Sequence, residues 1–273
     1  MMATIVFLHA HPDDESILTG GSIARAADEG HRVVLVVATD GRHGELPDDL
    51  AEGETLVERR RVETERSAAV LGVQRVAWLG YHDSGMTGWE QNGDTQSFHQ
   101  ADVDEAGGRL AAILTEERAN GEPLVLVTYD WHGNYGHPDH VKVHYVGYRG
   151  AELAGVDTVF EATANRDEWR EQVALARAAA EAAGEPFPED FDPDGPADDG
   201  NPMGEPAAAI AVRVDVSAWA ERKRESIRCH RSQVTDTTFF LSMPDDQFVA
   251  AFGTEWYVRR GVAGPPVAGW LVG

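Results

Sequence analysis

The chain has few of the features that place a protein in a membrane or in an oxidising compartment. It contains one cysteine, Cys229, in 273 residues, so no internal disulfide can form; a reducing cytoplasm is compatible with this. No apolar run approaches the length of a membrane span. The apolar run at residues 3–10 is too short for a signal peptide, and polar residues follow it directly. We therefore expect a cytoplasmic protein without membrane association.

Basic residues are also scarce. The chain has 23 Lys and Arg against 47 Asp and Glu, a net charge of −24. A surface of this sign repels nucleic acid and anionic lipid, so neither is expected as a partner. The same charge suits a monomer or a small oligomer, and a homo-oligomer stays possible. A hydrophobic content of 42% is enough for a substantial core.

Apolar runs of strand length alternate with helical segments through the first half of the chain. Strands that are apolar throughout and separated by helices are typical of a parallel sheet covered on both faces. The sequence therefore predicts an α/β fold with a Rossmann-like open, mostly parallel sheet. It has no GxGxxG fingerprint and no P-loop, so dinucleotide binding is not expected. The predicted strands cover residues 4–10, 32–39, 73–79 and 123–130, and the helices residues 20–30, 50–72 and 103–118.

The pattern is weaker after residue 155. Strands are expected within residues 157–163, 208–217 and 254–261, and helices within 166–183 and 218–230. Residues 184–206 are rich in Pro, Gly and Asp, which predicts a long loop or a disordered insertion. We expect residues 1–273 to form a single domain carrying this insertion, which could order over the pocket as a lid.

Polar segments follow each of the first four predicted strands. They read HAHPDDES, TDGRHGE, GYHDSGM and YDWHGNYGHPDH. In open α/β sheets, ligands bind beyond the carboxyl ends of the strands. The four segments are therefore expected to meet at one edge of the sheet.

Two of these segments carry the residue types of a catalytic zinc site. Two histidines and one carboxylate, with one position open to water, are typical of such sites, and a further carboxylate can act as general base. Either segment alone would be read as an ordinary solvated loop, but both directly follow strands of one sheet. We expect the adjacent aspartates to lie on an extended loop and point apart, one to the metal and one to the water. The candidates are His11, Asp13, Asp14, His137, Asp139 and His140.

HAHPDDES together with GHPDH resembles the LmbE-like, or PIG-L, family of zinc-dependent de-N-acetylases. The segments RRVETERSAAVLGV, GYHDSGM and CHRSQV are also similar to segments of that family. The resemblance covers residues 3–147 well and the remainder in patches. It is strongest to actinobacterial enzymes of mycothiol metabolism, which hydrolyse an amide on a glucosamine–inositol scaffold. The stretch DWHGN departs from that pattern and places Trp131 and His132 where substrate contacts could lie.

The resemblance implies a catalytic role for each motif residue. Asp13 would be the general base. His137 would stabilise the oxyanion and, like protonated Asp13, is a candidate to protonate the leaving amine. Asp139 would orient His137. The implied metal ligands are His11, Asp14 and His140.

The resemblance also implies contacts to substrate. Tyr135 would polarise the amide carbonyl, and Arg60 and Asp83 would hold sugar and polyol hydroxyls. The expected activity is removal of an N-acetyl or other acyl group from an amino sugar such as a glucosaminyl-inositol. The alternatives are a mycothiol S-conjugate amidase, a natural-product N-deacylase, a metal-dependent phosphoesterase and a non-catalytic, metal-containing sugar-binding protein. The expected ion is Zn²⁺, although Fe²⁺ suits the same ligands.

Some nearby residues are expected to have structural rather than catalytic roles. His144 follows His140 by four residues, a spacing that can share a metal, but a surface or packing role is favoured. His9 is expected in the core or supporting a ligand, and Glu15 as a cap or loop brace. Cys229 is expected to be a small buried residue. Trp89 is either a core residue or a ring on which a sugar stacks.

Overall fold

A computed structural model of the chain describes residues 2–119, 121–184, 186, 192–235, 238–262 and 264–272. Its strands form one sheet. They are β1 (Thr4–His9), β2 (Arg32–Thr39), β3 (Arg75–Tyr81), β4 (Leu124–Tyr129), β5 (Thr158–Thr163), β6 (Val212–Asp215), β7 (Thr254–Val258) and β8 (Val267–Ala268). The order across the sheet is β3-β2-β1-β4-β5-β7-β6-β8. Strands β1 to β5 are mutually parallel, whereas β7 runs antiparallel to both β5 and β6.

Two helix groups cover the sheet: α4 packs against α5, and α7 packs against α2 and α3. The helices are α1 (Asp14–Leu18), α2 (Gly20–Asp28), α3 (Leu56–Leu71), α4 (Val103–Arg118), α5 (Pro138–Ala154), α6 (Arg166–Ala183), α7 (Ala220–Cys229), α8 (Phe239–Ser242) and α9 (Asp245–Phe252). The expected α/β architecture is confirmed. In the part of the chain that the structure describes, no helix has the length and apolar character needed to cross a bilayer.

The central strands β1, β2 and β4 form the core. Their register determines where the loops that carry the motifs lie. Every residue of β1 is buried, as is all of β2 after its first residue. β1 lies between β2 and β4 in register, with Thr4 opposite both Arg32 and Leu124. The carboxyl ends of β1 and β4 are therefore neighbours, and the loops that follow them lie side by side.

Some details differ from the sequence expectations, and α8, α9 and β8 were not predicted. The short helix α1 lies within the first motif and was not predicted, because five residues are too few to show a helical period. The strand expected at residues 208–217 shrinks to β6, preceded by a 3₁₀ turn at Ala207–Ala209. Cys229 is half-buried rather than buried.

The expected loop at residues 184–206 is described from residue 192 onward; residues 185 and 187–191 lie outside the described residues. Residues 192–206 form turns that are hydrogen-bonded to the loop after β4. We call this stretch the 192–206 segment. Asp198 N donates to Tyr135 O at 2.9 Å, and Gly204 N donates to Asn134 O at 2.7 Å. This stretch is therefore a packed loop and not a disordered insertion.

The C-terminal elements are joined to the first half by buried polar contacts. Glu255 on β7 accepts from the backbone N–H groups of Gly21 at 2.9 Å and Ser22 at 2.8 Å, which caps the start of α2 from a distant strand. Lys223 Nζ lies 2.7 Å from Glu255 Oε1. A Cβ on Gly21 would lie 2.5 Å from Val216 Cγ2, so this close approach requires glycine.

Candidate active site

The loops after β1 to β4 meet as expected. They surround a cavity of about 180 Å³ that is lined by residues from all four loops, together with Arg60 of α3 and Gln233. Clefts of about 510, 440 and 470 Å³ lie elsewhere on the described surface, but none of them is lined by the motif residues. The chemistry-bearing residues mark the smaller cavity as the candidate site.

Three predicted metal ligands converge beside this cavity: His11 and Asp14 line it, and His140 lies against both. His11 Nδ1 lies 3.2 Å from His140 Nε2. Asp14 Oδ2 lies 3.4 Å from His140 Nε2 and 3.6 Å from His11 Nδ1. Ligand atoms about 2 Å from a tetrahedral centre are roughly 3.4 Å apart. The three atoms therefore have the spacing of three corners of a zinc tetrahedron, and the residues fit a metal ion.

The electrostatics of the cluster also favour a positive charge at its centre. Burial lowers the pKa of His11, but the Asp83 carboxylate and the hydrogen bond to Asp139 outweigh it and bring that pKa well above its usual value. Burial acts to raise the pKa of Asp14, but His140 and His11 hold it well below its usual value. A carboxylate that remains ionised beside two imidazoles is suited to hold a cation.

His11 is fixed by a carboxylate on its outer side, a common arrangement for a metal-bound histidine. Its Nε2 lies 3.2 Å from Asp139 Oδ2. The Asp139 carboxylate in turn accepts from the backbone N–H of Ser84 at 2.9 Å and from the Ser84 hydroxyl. Ser84 lies in the GYHDSGM segment, and nothing local in the sequence indicated this contact.

Asp139 was expected to orient His137, and in this structure it contacts that histidine through its backbone. His137 is the N-cap of α5, and Asp139 follows Pro138 within the first turn. The backbone N–H of Asp139 donates to His137 Nδ1 at 3.1 Å, as in an ordinary helix cap. The Asp139 carboxylate is directed to Ser84 and His11 instead.

The cap fixes the tautomer of His137. Because Nδ1 accepts a hydrogen bond, the ring proton resides on Nε2, which is left as a donor. Burial, together with the neighbouring rings of His11 and His140, lowers the pKa of His137 to about 2. His137 is therefore a neutral hydrogen-bond donor in the cavity wall.

Asp13 and Asp14 are separated by backbone conformation and not by an extended loop. Asp13 has φ of 108°, in the left-handed region. A non-glycine residue there carries strain of about 1–3 kcal/mol, and such strain concentrates at functional sites. The left-handed turn directs Asp14 to the two histidines and Asp13 to Arg60, whose Nη2 is 3.2 Å from Asp13 Oδ2. The expectation of an extended loop was wrong, although the two carboxylates do face different partners.

Arg60 and Asp83 both line the cavity, but the protein itself engages most of their polar atoms; Arg60 Nε is the exception. Arg60 is 4% exposed and donates to the carbonyls of Pro12 and Gly41 as well as to Asp13. Asp83 accepts from Gly85 N at 2.9 Å and from His43 N at 3.2 Å. Arg60 thus supports the loop that carries Asp13 directly. Burial raises the pKa of Asp13, and the Arg60 guanidinium opposes that shift.

Tyr135 lies beside the predicted metal ligand His140. Its hydroxyl lies 3.3 Å from His140 Nε2, and its ring packs edge-on against that histidine at 4.7 Å between centroids. Burial and the Asp14 carboxylate raise the pKa of Tyr135. The phenol therefore remains protonated and can donate a hydrogen bond.

A buried cluster behind Asp13 was largely missed by sequence reasoning. Glu15 is fully buried and accepts from Asp13 N at 3.0 Å and from the Ser67 hydroxyl. His230, at the end of α7, places Nε2 2.7 Å from Glu15 Oε1. The signals were Glu15 within the first motif and His230 within CHRSQV, but only the fold brings the two together.

Four further candidates lie outside the metal cluster. His9 is buried and bonds to the hydroxyls of Tyr129 and Thr19, both at 2.8 Å. His144 bonds to the backbone oxygen of Tyr129 at 3.0 Å and has a packing role. His132 is buried 3.5 Å from Asp199, and neither it nor Trp131 lines the cavity. Substrate contacts of Trp131 and His132 stay a prediction, since neither residue lines this cavity.

Known proteins resemble this chain in sequence and in fold. Residues 6–150 match the PIG-L family model, described as GlcNAc-PI de-N-acetylase. A 1D-myo-inositol 2-acetamido-2-deoxy-alpha-D-glucopyranoside deacetylase from Acidothermus cellulolyticus is 35% identical, over 97% of this chain and 91% of its own length. An enzyme of the same name from Thermobifida fusca is 39% identical, over 87% of this chain and 86% of its own.

A solved structure shares the fold at lower identity. The N,N'-diacetylchitobiose deacetylase from Pyrococcus horikoshii superposes with a TM-score of 0.55 at 23% identity, covering 93% of this chain and 82% of its own. The motifs, the sheet and the matched family model all lead to one assignment: the chain belongs to the PIG-L family, as its two HPD motifs predicted.

Proposed function

We propose that this protein is a zinc-dependent hydrolase that removes the N-acetyl group from an N-acetylglucosaminyl-inositol. The observation that carries the proposal is the triangle of His11, Asp14 and His140 with Asp13 and Tyr135 beside it. The substrate class comes from relatives at 35% and 39% identity, whose names specify deacetylation of a glucosaminyl-inositol.

His11, Asp14 and His140 would hold the metal ion. Bound there, Zn²⁺ would supply Lewis acidity, polarising the amide carbonyl and lowering the pKa of water toward about 7. The Asp139 carboxylate increases the basicity of His11 and fixes the orientation of its ring. Fe²⁺ suits the same ligand set, so the ion is to be identified by metal analysis of the purified protein.

Asp13 is assigned as the general base. It lies beside the metal ligands in the cavity wall, and Arg60 holds its carboxylate in place at 3.2 Å. It would take a proton from water as the oxygen attacks the amide carbon. Tyr135 O–H and His137 Nε2–H would donate to the carbonyl oxygen as negative charge develops there.

The same geometry favours Asp13 over His137 as the source of the leaving-group proton. Protonation of His137 at Nδ1 would break its hydrogen bond with Asp139 N, so this ring is a poor acid. Asp13, protonated in the first step, is left to return that proton to the amine. The C–N bond then breaks, and the products are acetate and the free amino sugar.

Release of free amine from N-acetylglucosaminyl-inositol and from N-acetylglucosamine, measured with zinc-loaded protein, tests this proposal. We expect Asp13→Ala to retain one metal ion per chain and to lose about 10²–10⁴-fold in kcat. His140→Ala should lose both the metal and the activity. His144→Ala is the matched control, because that histidine lies one turn further along α5 and bonds to a backbone oxygen away from the cluster.

Two results would contradict the proposal. A wild-type rate in Asp13→Ala would remove the assigned base. Failure of the wild-type protein to release amine from either acetylated substrate would exclude the de-N-acetylase activity, and amides with bulkier acyl groups would then be assayed.

A further inference from the structure

The cavity is too small for the whole proposed substrate. Its volume is about 180 Å³, whereas sites that enclose small molecules begin at roughly 300 Å³. The acetamido group must reach the metal ligands at the floor, so the aminosugar ring occupies the cavity. The ring attached to it must then lie at the rim.

An exposed aromatic side chain lies at that rim. Trp89 follows β3 and contributes to the cavity wall, yet 48% of it is exposed. Met86 beside it is 38% exposed. A half-exposed indole in the wall of a polar cavity offers a flat apolar surface to a ligand.

The indole packs against its own loop. A Cβ on Gly85, which has φ of +68°, would lie 2.7 Å from Trp89 Cε3, so the ring packs directly on the glycine backbone. Asn92 ties the loop together: its Nδ2 donates to Ser84 O at 2.7 Å, and its Oδ1 accepts from Gly88 N at 2.9 Å. Because Ser84 also bonds to Asp139, the loop is fixed relative to the metal ligands.

The opposite wall is tied to the same loop. Asp198 of the 192–206 segment accepts from Thr87 N at 3.1 Å through its carboxylate and donates from its own backbone N–H to Tyr135 O at 2.9 Å. One residue thus links the Trp89 loop to the Tyr135 loop. The distance between the indole and the donors at the floor is thereby set before substrate binds, which lowers the entropy cost of binding.

We propose that Trp89 is a specificity-determining residue on which the cyclitol ring of the substrate stacks. This inference rests on the proposed function. The C–H face of the cyclitol would lie against the indole, and its hydroxyls would remain in solvent. The stacking would favour a glucosaminyl-inositol over the bare N-acetylamino sugar, which has no second ring to place at the rim.

Amine-release kinetics on both substrates test the proposal. Trp89→Ala should raise KM for N-acetylglucosaminyl-inositol about tenfold while kcat stays within about twofold. Its kcat/KM for N-acetylglucosamine should change by less than about twofold. Trp89→Phe retains a ring and should recover most of the affinity. Trp131→Ala is the matched control, because that indole is 50% exposed but does not line the cavity.

Binding without turnover separates failure of this inference from failure of the proposed function. Calorimetry in the Asp13→Ala background should show about tenfold weaker binding of the glycoside when Trp89 is also alanine. Suppose that the wild-type protein hydrolyses the substrate but Trp89→Ala changes kcat/KM equally for both substrates, or for neither. The stacking role would then be overturned, and the proposed function would stand. If no substrate is hydrolysed but glycoside binding still depends on Trp89, the proposed function fails and the stacking role stands.

Discussion

The two halves of the molecule divide the work between chemistry and support. The N-terminal half, described residues 2–154, supplies every proposed metal ligand and proton donor from loops at one edge of a parallel sheet. The C-terminal half, described residues 158–272, adds β5 to β8 and meets the first half through buried polar bonds such as Glu255 to Gly21 and His230 to Glu15. The family model ends at residue 150, close to this division. A reactive half can thus be positioned by a half whose own contribution to the cavity wall is Gln233.

The largest expected effect is a loss of stability when the buried contact between the two halves is broken at Glu255. Glu255→Gln would leave Lys223 as an unpaired buried charge, so we expect the free energy of unfolding to fall by about 3–5 kcal/mol. Urea denaturation measures this, with metal content recorded on the folded protein. Metal content should stay at the wild-type value, because Glu255 lies outside the ligand cluster.

Glu225→Gln is the matched control on the same helix as Lys223. Glu225 pairs with Arg228 at the surface, and exposed pairs contribute little to stability. If Glu255→Gln denatured no more easily than Glu225→Gln, the buried polar interface would not be what joins the halves.

The next largest effect is a loss of metal affinity from a substitution within the N-terminal half. Asp139→Asn weakens the hydrogen bond that fixes His11, so we expect about a 10–100-fold loss of zinc affinity. Competition with a chromogenic chelator measures it. Asp104→Asn, which alters an exposed carboxylate paired with Arg149, should leave the affinity unchanged. Unchanged affinity in Asp139→Asn with a reduced kcat would instead favour the contact to His137 that the family resemblance implied.

The smallest expected effect tests whether the C-terminal half helps to position Asp13, the proposed general base. His230→Ala removes the partner of Glu15, which holds the backbone N–H of Asp13. We expect kcat to fall about tenfold with KM and metal content unchanged, because a small displacement of a catalytic group is costly. Cys229→Ser alters the adjacent, half-buried residue and should change none of these quantities. A parallel rise in KM in His230→Ala would indicate a general loss of structure instead of misplacement of the base.

The sequence predicted the reactive half better than the supporting half for a physical reason. Strands β1, β2 and β4 are buried on both faces, so their apolar runs are continuous and visible in the sequence. β6 has exposed residues at alternate positions and its neighbour β7 pairs antiparallel with β5, so neither its length nor its partner was readable. The short helix α1 was hidden inside a motif read as a loop.

Within the site, the residue types were predictable and the contacts were not. The motifs placed His11 and His140 at one sheet edge, and the structure brings them within 3.2 Å. The left-handed conformation of Asp13 has no sequence signature in an Asp-Asp pair, since glycine is the usual marker of positive φ. The Asp139–Ser84 contact depends on the packing of two loops, which no local pattern encodes.

The sequence separation of the two histidines has a consequence for folding. His11 and His140 are 129 residues apart, and their loops meet only after β1 and β4 have paired. A chain in which these strands are apart can offer a metal ion the local His11–Asp14 pair or His140, but not the three residues together. Metal binding is therefore linked to the closed sheet, and added zinc should stabilise the native state by RT ln(1 + [Zn]/Kd). The ion that serves the reaction would then also act as a thermodynamic clasp across the central strands.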